Sequence, residues 1–260
     1  MLNHEREIVI GAGSLYIADL DSDGNPKGYR YMGDSEGFTI TPSSTQLDVP
    51  SGDGPISEKM ESVTTMIERA GNCVLNEVTD ENLALFLIGE ASTLSQTLDA
   101  AANQAFTSVQ EGLYYSLGAT IANPAGHKDV ADVVVSDGEA TNYDEGNDYE
   151  VVADTGMVFI VKGGAISSGD DIEVDYSIPA NDYAQVKSTE SDTGYKAIKY
   201  EENASAGKNR DIYLTRCNVR PEGGMDIKSR DSHQQVTLNI ESLVPSGGPA
   251  VVMVKRDANA

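Results

Sequence analysis

The segment Val236–Glu241 alternates without a break, Val236, Leu238 and Ile240 standing against Thr237, Asn239 and Glu241. Successive side chains of an extended chain point to opposite faces, so this spacing puts one face in a core and the other in water, which a helix cannot do. Ile172, Val174, Tyr176 and Ile178 repeat the period against Asp171, Glu173, Asp175 and Ser177, which gives a second strand with an acidic outer face. Most of the remaining chain reads as short extended runs broken by Gly, Asp and Asn, the pattern of a sandwich or barrel. The expectation is a mainly β protein: two packed β-sheets, one short flanking α-helix and a small inserted β unit.

The helix is expected in VTDENLALFLIGE. Thr79 or Asp80 can cap its start, Glu81 favours its positive end and Gly89 suits its C-terminal stop. Leu83 to Ile88 leave it no polar side, so it must be covered on several faces. Phe38 to Leu47 and Ser57 to Ala70 read as two long strands of a hairpin, with a mobile tip from Asp48 to Pro55. Residues 91–106 fit a helical stripe through Leu94, Leu98, Ala101, Ala102 and Ala105, but their Ser and Thr content favours an extended linker. The runs VADVVVS, DYEVVA, MVFIVK and DIEVDYSI form a compact set of strands between Pro124 and Pro179. The domain expectation is therefore a discontinuous core, 1–124 and 181–260, with an insert at 125–180.

Charge and motifs exclude several classes. With 18 basic and 42 acidic residues the net charge is -24, which repels the phosphate backbone that nucleic-acid binders attract. Cys73 and Cys217 lie far apart with no CxxC and no neighbouring His, so they read as small buried hydrophobes rather than zinc ligands. MLNHEREIVI lacks the apolar core of a signal peptide, and the longest apolar run, Leu83 to Ile88, is far below the ~20 residues of a membrane helix. A soluble intracellular protein is the expectation. Asp19, Asp21, Asp23 and Gly24 open like a calcium loop, but the twelfth position is Arg30 rather than a bidentate Glu, so the segment reads as a hairpin turn. Ser205-Ala206-Gly207-Lys208 has the SxxK spacing without its companion motifs, and Gly11-Ala12-Gly13 lacks the third glycine of a dinucleotide fingerprint. No enzyme, cofactor or metal is expected.

Several segments in their order resemble the major tail tube proteins of long-tailed bacteriophages: the opening GAGSLYIADLDSDGNPKGYRYMGDSEGFTITPSSTQLDVPSGDG, then VTDENLALFLIGE, GLYYSLGATIANPAGHKDV, DYEVVADTGMVFIVKGGAISSGDDIEVDY and AIKYEENASAGKNRDIYLTRCNVRPEGGMDIKS. The resemblance implies a virion protein, made in the bacterial cytoplasm, whose rings of six stack head to tail into a tube. Its partners would be itself, the tail tip or initiator, terminator and tape-measure proteins, with DNA passing through unbound and no membrane involved. A ring would carry -144, six times the chain's -24. On this likeness Thr39, Thr41, Ser43 and Thr45 are candidates for the lumen wall. Asp48, Gly52, Asp53 and Gly54 are candidates for an inter-ring loop, Leu85 and Phe86 for a subunit interface, and the insert for an outward decoration. Two other readings stay open: a calcium-stabilised Ig-like or adhesive β module of a surface protein, and a hydrolase resting on the SxxK alone.

Overall fold

The computed structural model describes residues 8–53, 55–139, 141–189 and 194–256. In chain order the elements are β1 (Gly13–Asp19), β2 (Arg30–Tyr31), β3 (Ser35–Pro50), β4 (Lys59–Leu75), α1 (Asp80–Phe86), β5 (Gly89–Gln96), β6 (Asp99–Phe106), β7 (Tyr114–Ser116), β8 (Ala131–Ser136), β9 (Tyr149–Val152), β10 (Met157–Ile160), β11 (Ile172–Ile178), β12 (Asn181–Ser188), β13 (Lys196–Glu202), β14 (Arg210–Pro221), β15 (Val236–Ser242) and β16 (Val251–Lys255). The protein is mainly β, with packed antiparallel sheets and a single α-helix among the described residues.

The chain divides into two compact units: unit 1, 1–92 with 185–260, and unit 2, 93–184. The insert therefore starts some way before the expected residue 125. The reason is that 91–106 is no linker: β6 pairs along its length with β11, Phe106 opposite Ile172 and Ala102 opposite Tyr176. Ala102 and Phe106 face the core of unit 2. A two-residue period hidden among small polar residues becomes a strand once a partner supplies the ladder.

Unit 1 is one eight-stranded sheet, ordered β2-β1-β13-β14-β15-β4-β3, with β16 alongside β14. It curls on itself: the rings of Phe38 on β3 and Tyr200 on β13 are 5.6 Å apart although three strands separate them in the sheet. Inside lie Leu15, Ile17, Cys73, Leu75, Ile198, Leu214, Leu238 and Ile240, and α1 adds Leu85. Val236, Leu238 and Ile240 are the buried face of β15 that their spacing predicts.

Unit 2 packs two three-stranded sheets, β7-β10-β9 and β6-β11-β8, around Val109, Leu117, Val135, Val158, Ile160 and the inner residues of β11. On β11, Ile172, Val174, Tyr176 and Ile178 are buried, as their alternation predicts.

Helix α1 begins at the expected cap: the Thr79 hydroxyl accepts the backbone N–H of Asn82. Its end differs. The left-handed position falls on Ile88, at φ 51, rather than on Gly89. Gly89 is needed for another reason, because a Cβ there would lie 2.0 Å from the Lys187 carbonyl oxygen.

Candidate self-association surface

Strand β3 is the last strand of its sheet, so its outer edge carries unpaired backbone groups. Its pairing with β4 continues from the core outward past a register shift after Thr45: Thr39 opposite Asn72, Thr41 opposite Ala70, Ser43 opposite Glu68, Thr45 opposite Met66, Leu47 opposite Val63 and Val49 opposite Glu61. Beyond Pro42 and below Arg69 every residue of these two strands is exposed. The root of the hairpin belongs to the core through Phe38, Ile40 and Cys73, while the outer half is an exposed arm, covered by none of the other described residues.

Alternation places Thr39, Thr41, Ser43 and Thr45 on one face of this arm, opposite the face that enters the core. The Thr39 hydroxyl donates to Asn72 Oδ1 at 2.6 Å, and Ser43 reaches Glu68 at 3.4 Å. The same face changes character toward the tip. Leu47, Val49, Val63 and Met66 stand there together, 61%, 42%, 47% and 49% exposed. A bulge at Thr65 keeps Val63 on the side of Leu47. This apolar end escapes a sequence reading that stops the stripe at Thr45; continuing the same spacing through Leu47 and Val49 was the available signal.

Asp48 lies on the strand rather than in a loop. Its carboxylate pairs with Lys59 Nζ at 2.6 Å and accepts the Ser62 hydroxyl at 2.8 Å, and these two partners hold its pKa below the usual carboxylate range. The turn itself closes through Ser51 N–H to Glu58 O at 2.7 Å and Ser57 Oγ to Ser51 O at 2.8 Å. Gly52 and Asp53 are exposed within it, and Gly54 lies outside the described residues. The arm is therefore a hydrogen-bonded ribbon nearly to its end.

The helix candidates sit elsewhere. Leu85 is only 8% exposed and belongs to the core of unit 1, and Phe86, half-buried, packs against that core. Leu87 and Ile88, just past the helix, are the exposed apolar pair.

A family pattern described as "Protein of unknown function UCP028589" matches residues 8–244. The chain belongs to this family. No curated protein matches it. The matched residues span both units.

The chemistry-bearing segments are otherwise committed to structure. Asp21 Oδ1 accepts the backbone N–H groups of Asp23 and Asn25, which lower its pKa, so the Asp-rich stretch is a self-capped turn. Among the described residues no group of three or more His, Cys, Asp or Glu side chains is placed to hold a metal. Ser205 to Lys208 is an exposed turn between β13 and β14. Cys73 and Cys217 are free and buried, and burial pushes both thiols up to about 12. The cleft of about 390 Å³ beside α1 holds Arg30, which donates to Asn82 Oδ1 at 2.9 Å, and Lys196, paired with Asp19. Asn82 is fully buried and donates to Met32 O and Glu77 O. Its bonds tie β2, the helix and the end of β4 together.

Proposed function

We propose that this chain is a structural subunit that assembles with copies of itself into rings of six stacked as a hollow tube, in the manner of the bacteriophage tail tube proteins it resembles, with DNA as the passing cargo. The observation that carries the reading is the bare β3–β4 arm. A lone two-stranded ribbon is marginal in water, and a long open edge is a template for another strand. An arm left exposed by all the other described residues gains its stability from a neighbour.

Magnitudes favour assembly by many weak contacts. Burying Leu47, Val49, Val63 and Met66 fully would contribute at most about 6–12 kcal/mol at ~1.5–3 kcal/mol each. Association costs an estimated ~4–15 kcal/mol. A single arm therefore roughly breaks even, and stacking one ring on the next, where six arms engage at once, tips the balance.

The polar root, Thr39, Thr41 and Ser43 with Glu68, suits a wall past which a polyanion slides, since it offers hydroxyls and a carboxylate and no cation. Repulsion there would act over about one Debye length, ~8 Å at physiological salt. The apolar tip suits contact with the next ring.

Negative-stain electron microscopy of concentrated protein tests the proposal. Hollow stacked rings are the expected image. Single particles at every concentration, salt and seeding condition would overturn it.

A further inference from the structure

Unit 2 holds sixteen of the chain's 42 acidic residues but only Lys128 and Lys162 of its 18 basic ones, a net charge of -14, against -10 for the rest. Within this acidic unit one sheet face is largely apolar. Strands β7, β10 and β9 turn Tyr115, Val158, Ile160 and Tyr149 into the core. Alternation puts Tyr114, Ser116, Met157, Phe159, Glu150 and Val152 on the outer face. The register sets Phe159 between Tyr114 and Glu150, and Met157 between Ser116 and Val152. The Tyr114 and Phe159 rings lie 4.7 Å apart, and Tyr114 is 58% and Val152 37% exposed.

We propose that this face is a docking surface for a basic polypeptide segment. The aromatic pair receives apolar side chains and the faces of cationic groups, since aromatic rings attract Lys and Arg and are enriched where interfaces carry their energy. Glu150 lies on the face itself, Asp154 in the turn joining β9 to β10, and Glu111 just ahead of β7. The unit's two cations are Lys162, packed against Gly112, and Lys128, which follows His127 beside the Gly156 turn. Charge selects the occupant. A second copy of unit 2 brings another -14 against the first, and nucleic acid and anionic bilayers are repelled for the same reason. A partner with alternating apolar and basic residues satisfies both parts of the surface. The inference is independent of the arm and of tube assembly.

The test uses the full chain and a fluorescent synthetic peptide of alternating Lys and Leu, followed by anisotropy at low ionic strength. Saturable binding is expected, lost near ~1 M salt where the Debye length is ~3 Å. Tyr114→Ser should weaken it about tenfold, as loss of an aromatic anchor does. Val152→Lys, at a second exposed position, should weaken it too by adding like charge. An alternating Glu and Leu peptide should not bind. No binding of the Lys and Leu peptide, equal binding of plain oligolysine, or indifference to both substitutions in variants with native circular dichroism would overturn the proposal. So would wild-type dimerisation that Tyr114→Ser abolishes in sedimentation velocity.

Discussion

Leu47 and Val63 face each other across the β3–β4 ladder, and both stand open to solvent on the same side of the arm. A cross-strand apolar pair normally closes a core; this one closes none among the described residues. Leu47→Asp is therefore expected to leave folding intact, with stability within about 0.5 kcal/mol of the parent as for other surface changes. Higher-order assembly should be lost. Sedimentation velocity and thermal melting of one sample check both halves, and a large drop in melting temperature would show that the arm is buried intramolecularly.

Leu85→Asp should behave in the opposite way. The side chain sits in the core of unit 1, where a carboxylate finds no partner in an apolar cluster, so loss of the fold is expected rather than a soluble assembly-defective monomer. The milder Leu85→Ala should cost about 2–5 kcal/mol in urea unfolding. Leu87→Asp, two residues on and exposed, is the paired control and should be nearly neutral.

Asn82→Ala removes the acceptor for Arg30 and the donor to two carbonyls at a site with no solvent exposure. Leaving buried polar groups unpaired costs ~1–3 kcal/mol each, so a loss of about 2–4 kcal/mol is expected. Chemical denaturation with an unchanged m-value would support this; a change under about 1 kcal/mol would mean that the remaining groups find other partners.

The two cysteines predict an alkaline limb of stability. Burial holds their pKa at about 12, whereas an unfolded thiol ionises near ~8.5. The folded pKa is raised and the neutral form is the one the fold keeps, so this contribution is full below about 8.5 and is lost as pH climbs toward 12. Tyr149 and Tyr176, also raised by burial, act in the same direction higher in the range. The melting temperature should be flat between about pH 7 and 8 and fall above about pH 9. Replacing both cysteines with Val should flatten part of that fall. A thiol reagent at pH 8 should label neither cysteine until the chain unfolds.

The Ile88–Gly89 junction gives a pair of opposite effects. Ile88 holds φ 51, a region that costs a β-branched residue roughly 1–2 kcal/mol, so Ile88→Gly should be stabilising by about 1 kcal/mol or less after its entropy cost. Gly89→Ala should destabilise, because the new methyl meets backbone rather than a movable side chain. Differential melting of the two variants, one up and one down, is the check.

Strand identity in β11 and β15 was legible because a two-residue period is local: each residue's neighbours in sequence reveal its face. The Thr79 cap was legible for the same reason, since its partner is three residues away. The polar half of the arm followed from the same alternation, Thr39 to Thr45. What the sequence hid were choices made by distant partners. Whether 91–106 formed a linker or strands depended on β11, more than sixty residues further along the chain.

The sequence by itself determined the mainly β character, the short helix, the long hairpin and the strongly acidic net charge, all of which depend on near neighbours or on totals. Only the tertiary structure decided that Leu85 is spent inside the protomer while Leu47 and Val63 are not, and that more than half of the net charge, -14 of -24, falls in unit 2. Burial is a property of what packs above a residue, and chains of equal local pattern differ in that alone.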